Sequence, residues 1–448
     1  MANTYIKRTQ VAGDRQKFTF SAWVKRGAIG TNQQILSCYH GNSDSGYIEF
    51  RFQGSGDSLH CSGYSTNWFR TTRAFRDTNA WYHIVYAVDT TQSTGGNRMK
   101  LYINGEQETV FATASDPSIN LNLPFGESGS DIRIGVDVTA NAQFFDGSMS
   151  HVHFCDGYQY QPSDFGSTDA TTGEWKINTS PSVSYGNNGF FILKDGNSVT
   201  DQSGQSHNCT VAGGTLTKTE DCPNNVFATW NFLDRYYTQA NFSSGNTTVQ
   251  TPNASETYCT STLGMSSGKY YMEVMTYDGS NRDNIGIVDS VATANNGSNN
   301  LYQKAKGYSY RGVGGVWNND SQLSGTFASY GSPNYIMIAV DLDNSKLYFG
   351  KDGVWQNSSD PTSGSTGTGA ISITPTSDLS NGCYFFAVGD EVTSDDTTYR
   401  GNFGNGYFGT TAITTNSGNG YAGAEGASKF NYTVPSGYSA LTTKGLNE

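Results

Sequence analysis

Short runs in which apolar and polar residues alternate recur roughly every ten residues along this chain. In the run FTFSAWV at residues 18–24, Phe18 and Phe20 fall on one face while Thr19 and Ser21 fall on the other. Turns rich in Gly, Asn and Ser separate the runs, and no window has the Ala, Leu, Glu and Lys content of a long helix. The pattern predicts an all-β protein built from many short antiparallel strands.

Similar runs predict the remaining strands in two series. The first series continues at 47–52, 81–89, 100–105, 131–136 and 150–154. The second series lies at 269–279, 284–288, 307–312, 334–343, 346–355, 383–389 and 399–403. Pro near the start and Gly at the end also predict one short helical turn at 162–166.

The two series predict two tandem antiparallel β-sandwiches. The first sandwich is assigned to residues 1–178 and the second to residues 230–410. Residues 179–229 have little periodicity apart from GFFIL at 189–193, so we interpret them as an extension wrapped on the first sandwich plus a linker. Residues 411–448 form a Gly/Thr-rich C-terminal tail with a compact ending.

An internal echo supports this division. HIVYAVDTTQSTGGNRMKLYINGEQ in the first half and YIMIAVDLDNSKLYFGKDGVWQ in the second both pair two strands through a turn. The shared positions are an Asp at the end of one strand (Asp89, Asp341), a Lys-Leu-Tyr that starts the next (from Lys100 and Lys346) and a hairpin dipeptide (Asn104-Gly105, Asp352-Gly353). Both dipeptides favour the type I′ turn.

Composition and charge exclude several classes of partner. The net charge of the 448 residues is −12 and only 15% of them are charged. The basic groups formed by Lys7 with Arg8, and by Arg70, Arg73 and Arg76, are too small to attract nucleic acid. The opening residues lack the apolar core of a signal peptide, and no apolar run approaches ~18 residues. We expect no nucleic-acid partner, no membrane insertion and no secretion by a signal peptide.

The cysteines do not form a recognisable metal or redox motif. None of the seven has a CxxC neighbour, so we expect thiols in a protein assembled in a reducing cytoplasm. A disulfide between Cys209 and Cys222 is the alternative.

The first half resembles a laminin-G-like domain of the concanavalin A superfamily. The segments FTFSAWVKR, NAWYHIVYAVDTT, KLYINGEQE and FFDGSMSHVHFCDGYQYQPSDFG follow the order of that family. The continuation, QPSDFGSTDATTGEWK and then NNGFFILKD, resembles a version found in proteins of marine phages and other aquatic viruses.

The second half resembles a SPRY domain, which is also a concanavalin-like sandwich. The matching segments are SSGKYYMEVMTYDG, GYSYRGVGGVWNN, YIMIAVDLDNSKLYFGKDGVWQ and GNFGNGYF. Pro333-Asn334-Tyr335 stands where the family usually has Gly-Asp, and the strand pattern is kept. The two resemblances imply two concanavalin A-like jelly rolls that serve adhesion and recognition and require no cofactor.

Catalytic motifs were weighed against structural interpretations. No Glu is followed two positions later by Asp, so the carboxylate pair of laminarinase-type glucanases lacks its signature. The GxSxG match at residues 264–268 leads directly into the predicted strand KYYMEV, so Ser266 is interpreted as part of a polar turn.

Two groups of residues were considered as metal sites. His151, His153 and Cys155 share one strand face, near Asp146 and Asp156, but the family pattern implies that this face points outward and is ordinary polar surface. Asp57, Asp89 and Asp137 lie at predicted strand ends. Asx-turn geometry is the favoured role for such residues, and a weak Ca²⁺ site stays an open alternative.

Aromatic residues in polar loops are the best indication of a binding site. Trp68, Phe69 and Arg70 are predicted to lie in a turn, and Tyr308, Tyr310, Arg311 and Trp317 in a Gly-rich strand–loop–strand segment. Aromatic faces beside Arg and Asn suit sugar rings, and the same residue types also suit a neighbouring subunit. Core packing is the commonest role of any one of them.

The sequence therefore favours binding over catalysis. The leading hypothesis is a non-enzymatic structural and adhesion protein of a virus particle, mounted on the virion surface as a fibre or capsid/tail decoration and binding host-surface carbohydrate or protein. One alternative is a purely architectural protein that grips other capsid or tail proteins, and another is a glycan-degrading enzyme. Without heptads, any homotrimer would rely on contacts between sandwiches.

Overall fold

The computed structural model describes residues 3–194, 196, 198–235, 240–251, 257–278, 282–291, 300–391, 396–413, 428–443 and 446. The chain divides into two compact units, Met1–Lys218 (unit 1) and Thr219–Glu448 (unit 2). Strands and turns make up almost all of both, so the predicted all-β class is confirmed. The predicted boundaries at residues 178, 229 and 410 stay predictions, and residues 414–427, 444, 445, 447 and 448 of the predicted tail lie outside the described residues.

The described residues of unit 1 form sixteen strands and two short 3₁₀ helices. The strands are β1 (Tyr5–Thr9), β2 (Lys17–Arg26), β3 (Gln33–Tyr39), β4 (Tyr47–Gln53), β5 (Ser58–Ser62), β6 (Asn67–Ala74), β7 (Trp81–Asp89), β8 (Met99–Ile103), β9 (Glu106–Gln107), β10 (Phe111–Ala114), β11 (Asp131–Ile134), β12 (Gly147–Asp156), β13 (Gly166–Thr168), β14 (Trp175–Ile177), β15 (Phe190–Ile192) and β16 (Thr210–Ala212). The 3₁₀ helices are Gly95–Asn97 and Pro162–Asp164, and the second confirms the predicted helical turn.

Two antiparallel sheets form the sandwich of unit 1. The eight-stranded sheet has the order β10-β6-β5-β4-β3-β11-β1-β16, and the six-stranded sheet has the order β15-β12-β2-β7-β8-β9. Alternate side chains of both sheets enter one buried core. Tyr86 of β7 stacks on Phe50 of β4 across the two sheets, with ring centroids 5.3 Å apart.

Unit 2 contains eighteen described strands and three described 3₁₀ helices. The strands are β17 (Trp230–Arg235), β18 (Asn241–Ser243), β19 (Thr248–Thr251), β20 (Thr257–Ser261), β21 (Lys269–Tyr277), β22 (Asp283–Val288), β23 (Tyr308–Arg311), β24 (Val316–Asn318), β25 (Ser321–Gln322), β26 (Tyr335–Asp341), β27 (Lys346–Lys351), β28 (Val354–Trp355), β29 (Ile371–Ser372), β30 (Phe385–Asp390), β31 (Thr397–Asn402), β32 (Tyr407–Phe408), β33 (Thr411–Ala412) and β34 (Ser439–Ala440). The 3₁₀ helices are Leu301–Gln303, Pro361–Thr366 and Thr376–Asp378.

Unit 2 is also a sandwich of two sheets. Its seven-stranded sheet has the order β17-β20-β30-β22-β23-β24-β25. The larger sheet has the order β18-β19-β31-β21-β26-β27-β28, with β29 antiparallel to β27 and β34 parallel to β21. Tyr310 of β23 contacts Phe349 of β27 across the sheets, with ring centroids 5.5 Å apart.

The predicted echo between the two units is confirmed. β7 pairs with β8 as β26 pairs with β27, both antiparallel. The Asp at each strand end contacts a Lys on the neighbouring strand, Lys17–Asp89 at 3.7 Å and Lys269–Asp341 at 2.9 Å. The hairpin residues have the left-handed φ values that type I′ turns need, 49° and 85° for Asn104-Gly105 and 48° and 86° for Asp352-Gly353.

In each unit a later segment covers the outer face of the echoed hairpin. In unit 1, Val85 and Tyr102 pack under Phe165, Tyr185 and Phe191 in a second buried cluster. The corresponding cluster of unit 2 places Met337, Ala339 and Tyr348 under Phe430 and Tyr438. The outer face of each hairpin, which would otherwise contact water, is therefore buried, so these strands are covered on both faces.

Gly105 provides a test of this cover in unit 1. A Cβ at Gly105 would lie 2.4 Å from the ring of Trp175, whereas a Cβ at Gly30, which has a similar positive φ, would meet nothing within 4 Å. We expect Gly105→Ala to destabilise unit 1 by about 3 kcal/mol, and Gly30→Ala by about 1 kcal/mol from backbone strain alone. Urea unfolding of the two variants measures both, and equal losses would show that Trp175 does not press on the turn.

The cysteine and membrane predictions can also be compared with the structure. All seven cysteines lie in the described residues and are free thiols, Cys209 and Cys222 among them. Within the described part of the chain, no helix has the length and apolar character to cross a bilayer.

Candidate functional site

The prediction that Trp68 and Phe69 lie in a turn is wrong. Both belong to β6 and are buried in the core of unit 1, with 2% and 5% of their surface exposed. The reason is a β-bulge: Phe69 opposes Cys61 and Asn67 opposes Ser62, which leaves Trp68 as the extra residue. The bulge lets two consecutive aromatic side chains enter the core. Arg70 is half-buried and stands opposite His60 of β5.

Tyr308 and Tyr310 lie on β23, within the strand predicted at 307–312, and they are core residues rather than exposed binding residues. They alternate with Ser309 and Arg311 along β23, so the two tyrosines point inward. The Tyr310 hydroxyl donates to the Ala328 carbonyl, and its ring lies 4.8 Å from that of Tyr330. Neither tyrosine is available to a ligand at the surface.

Arg311 and Trp317 are in contact, and two residues that the sequence analysis did not identify, Tyr302 and Glu391, also contact Arg311. The Arg311 guanidinium lies 4.3 Å from the ring centroid of Tyr302 and 4.5 Å from that of Trp317. The two rings are 6.0 Å apart at 77°, and Glu391 forms an ion pair with Arg311. We call these four residues, Tyr302, Arg311, Trp317 and Glu391, the Arg311 shelf.

The local fold explains how the shelf is held. Arg311 ends β23 and Trp317 lies on β24, joined by a turn in which Gly314 and Gly315 have φ values of 96° and 81°. Tyr302 follows Leu301, which packs with Tyr258 and Ala387 against the sheet.

The shelf presents flat, partly exposed aromatic groups around an ionised guanidinium. Tyr302 and Trp317 are half-buried, whereas the side chains of Arg311 and Glu391 are only 13% and 4% exposed. Burial raises the pKa of Tyr302, so its hydroxyl is neutral at physiological pH. Cation–π contacts of this kind contribute about 0.5–2 kcal/mol each and fix the rings in place. Such an arrangement suits stacking and hydrogen bonding rather than bond cleavage.

The predicted interpretation of Ser266 as a polar turn is confirmed. Ser266 is exposed in a bend that leads into β21, so no helix follows it. A nucleophile elbow needs a strand before the serine and a helix after it.

A buried serine–histidine pair in unit 1 also lacks the geometry of a nucleophile and base. Ser21 Oγ lies 2.9 Å from His83 Nε2, and Trp175 Nε1 donates to His83 Nδ1 at 2.9 Å. Because an indole nitrogen only donates, Nδ1 must accept, and the proton of the neutral ring is on Nε2. His83 therefore donates to Ser21 and cannot remove its proton. Burial lowers the pKa of His83 to about 3, which keeps the ring neutral.

The prediction that His151, His153 and Cys155 form ordinary outward surface is wrong for two of them. His153 and Cys155 face away from the main core but are buried, at 2% and 0% exposed. His153 stacks on Phe191 with centroids 3.9 Å apart, and its Nδ1 lies 2.9 Å from the Tyr185 hydroxyl. The covering segment after residue 158 is the cause. The described residues contain no group of three or more His, Cys, Asp or Glu arranged to hold a metal.

The three Asp residues considered for Ca²⁺ already accept protein hydrogen bonds. Asp89 accepts from Thr91 and Gln92, and Asp137 accepts from Thr139. Asp57 accepts from the Gly30 backbone N–H and pairs with Arg26 and Arg76. These hydrogen bonds give each carboxylate a structural role in its turn or ion pair.

Comparison with known families supports the fold of unit 1. A family model described as the concanavalin A-like lectin/glucanases superfamily matches residues 1–158. Unit 1 therefore has a concanavalin A-like, laminin G-type fold. No match was found among curated proteins.

Solved structures give more distant likenesses. The SPRY domain of human HERC1 is 12% identical at a TM-score of 0.29, with 38% of this chain and 96% of that chain covered. A Bacteroides ovatus protein to which carbohydrate binding has been ascribed is 20% identical at 0.35, covering 48% of this chain and 58% of its own. The native heptameric SAP-like pentraxin of Limulus polyphemus is 16% identical at 0.29, covering 48% and 90%. At these values the likenesses do not identify a ligand.

Proposed function

We propose that this chain is a non-enzymatic structural and adhesion protein of a virus particle that binds host-surface carbohydrate or protein. The observation that carries the binding role is the Arg311 shelf, where an ionised guanidinium holds two half-exposed aromatic rings in fixed positions. Rigid aromatic faces lose little conformational entropy on binding and stack on the CH groups of sugars. The viral setting rests on the resemblance of the segments QPSDFGSTDATTGEWK and NNGFFILKD to proteins of aquatic viruses.

A host-surface glycan is the preferred ligand, and the virion surface is the proposed location. The family model that matches residues 1–158 is described by lectins and glucanases, both of which bind carbohydrate, and this supports a carbohydrate ligand for unit 1. The buried Ser21–His83 pair has the wrong tautomer for catalysis, and Ser266 lies in a turn, which favours binding without turnover. No cofactor is proposed.

A protein partner within the particle is the second candidate. Tyr, Trp and Arg, the residue types of the shelf, are those enriched at protein–protein hot spots. The chain would then grip a capsid or tail protein, and a homotrimer is one form that the assembly could take. Imaging of the assembled particle separates the two candidates, because a shelf covered by another virion protein would contradict the adhesin role.

Replacing Trp317 by Ala tests the shelf. We expect Trp317→Ala to weaken adsorption of the full chain to host envelope fractions at least tenfold, because one stacking face is removed, a loss of about 1.4 kcal/mol or more. Tyr64→Ala, which removes an exposed ring of unit 1, serves as the matched control. Adsorption is measured by sedimentation with envelope fractions and on a glycan array. Equal adsorption of the wild type and Trp317→Ala, with both proteins folded as judged by circular dichroism, would rule out the Arg311 shelf as the binding site.

A further inference from the structure

The outer face of the eight-stranded sheet in unit 1 carries a row of three basic side chains on adjacent strands. Arg51 of β4 stands opposite His60 of β5, and His60 stands opposite Arg70 of β6. Their inward neighbours Phe50 and Cys61 enter the core, so the three point to the other face. Because adjacent strands are ~4.8 Å apart, Arg51 and Arg70 start about 10 Å from each other.

Only part of this positive charge is neutralised within the unit. Glu49 lies two residues before Arg51 on β4 and therefore on the same face of the sheet. It forms an ion pair with Arg51 and accepts hydrogen bonds from Ser62 Oγ at 2.7 Å and from the Tyr47 hydroxyl at 3.0 Å. The Arg70 guanidinium has no ion pair or hydrogen bond among the described residues. Two guanidinium groups and one carboxylate leave a local excess of positive charge on a chain whose net charge is −12.

His60 lies between the two arginines, and its Nδ1 is 4.0 Å from Glu49 Oε1. Its Nε2 lies 3.0 Å from the Asn67 Oδ1, an acceptor, so Nε2 carries the proton of the neutral ring. Its Nδ1 is buried without a hydrogen bond, as is Arg51 Nε. Burial and the nearby Arg51 lower the pKa of His60. The row is thus polar, preformed and incompletely satisfied, which is unusual for buried groups of a folded domain.

Aromatic and amide groups complete the same face. Tyr39, which is exposed, lies beside Tyr47 with ring centroids 6.4 Å apart, and Asn67 is exposed on β6. Rings and amides next to cations suit a sugar chain that carries acidic groups, since CH faces stack on the rings while the anion meets the guanidinium.

We propose that the Arg51–His60–Arg70 row binds the carboxylate or sulfate groups of an acidic polysaccharide through its two guanidinium groups, with the neutral His60 lying between them. Arg70 binds the anion most directly, because its guanidinium is unpaired. Arg51 contributes the guanidinium N–H groups that do not contact Glu49. This site lies in unit 1 and does not depend on the Arg311 shelf, so an experiment can contradict one proposal without contradicting the other.

Binding of defined polymers to the full chain tests the proposal. The probes are polygalacturonate for carboxylates, dextran sulfate for sulfates, neutral dextran as the uncharged control and polyglutamate for an acidic peptide. We expect one or both acidic polysaccharides to bind at low salt, neutral dextran not to bind, and Arg70→Gln to weaken binding at least tenfold. Arg76→Gln, which changes a 62%-exposed arginine already paired with Asp57, should change binding less than twofold.

Three results would overturn the proposal. They are absence of binding to either acidic polysaccharide, an equal loss for Arg76→Gln and Arg70→Gln, which indicates diffuse attraction, and tighter binding of polyglutamate, which indicates an acidic protein partner. Arg70→Gln removes a half-buried side chain with no partner, so it should fold, and Arg70→Lys provides a second variant that keeps the charge.

Discussion

Replacement of Glu273 by Gln is expected to lower the free energy of unfolding of unit 2 by about 3 kcal/mol. Glu273 lies on β21 and is fully buried. Its Oε1 accepts from the Tyr271 hydroxyl at 2.9 Å and from the Tyr432 backbone N–H at 2.8 Å. Its Oε2 accepts from Asn402 Nδ2 at 3.1 Å and from the Asn431 backbone N–H at 2.8 Å. The carboxylate thus fixes the C-terminal segment to the sheet.

The amide cannot reproduce this arrangement in either orientation. Burial raises the pKa of Glu273 to about 7, so the side chain is partly protonated near neutral pH. A protonated carboxyl can donate to the Tyr271 hydroxyl and still accept from the Tyr432 N–H. A Gln nitrogen only donates, so the backbone N–H of Asn431 or of Tyr432 would face another donor.

Hydrogen–deuterium exchange in increasing urea, followed on peptides from β21, measures this loss in unit 2 alone. Glu174→Gln, the same substitution at an exposed carboxylate of unit 1, should leave the opening free energy of the β21 peptides within about 0.5 kcal/mol of the wild type. Tyr271→Phe removes one of the four donors and should cost about 1 kcal/mol. A Glu273→Gln variant as stable as the wild type would show that the C-terminal segment is not fixed through this residue.

Unit 1 is expected to lose stability in mild acid through its buried histidines. Burial lowers the pKa of His83 to about 3, against an ordinary value of 6.5, and lowers the pKa of His153 as well. The unfolded chain therefore gains protons below pH 6.5 that the folded chain does not bind, so stability falls as the pH falls. For His83 alone the loss between pH 7 and pH 5 is about 2 kcal/mol, and His153 adds to it in the same direction.

His83→Gln is the variant that isolates this effect. The amide oxygen of the glutamine can accept from Trp175 and its nitrogen can donate to Ser21, and an amide does not titrate near pH 6. We expect the urea midpoint of unit 1, read by hydrogen exchange on β7, to fall less steeply with pH in His83→Gln than in the wild type. The same slope in the two proteins would contradict the assignment.

Much of the fold follows from local sequence. Alternation located β2, β4, β7 and β12, and the dipeptides Asn104-Gly105 and Asp352-Gly353 set the two hairpin turns, because period two and positive φ are properties of neighbouring residues.

The errors came from pairing and packing between segments, which alternation within a single strand does not show. The bulge that turns Trp68 inward depends on the pairing of β6 with β5, and the burial of His153 and Cys155 depends on a segment that follows them in the chain. Tyr302 and Glu391 contact Arg311 although they are 9 and 80 residues away from it in the sequence. The residues around Tyr302 and around Glu391 form no motif that predicts a binding site. Alternation along Tyr308–Arg311 could have separated the two inward tyrosines from the outward arginine.

Binding without turnover is tested most directly by incubating the full chain with a glycan array and host envelope fractions while the same samples are assayed for released reducing sugar. We expect saturable retention on at least one glycan or envelope fraction, weakened by Trp317→Ala, with reducing sugar no higher than in a heat-denatured control. Release of reducing sugar by the native chain, or no retention on any glycan or envelope fraction, would contradict the account.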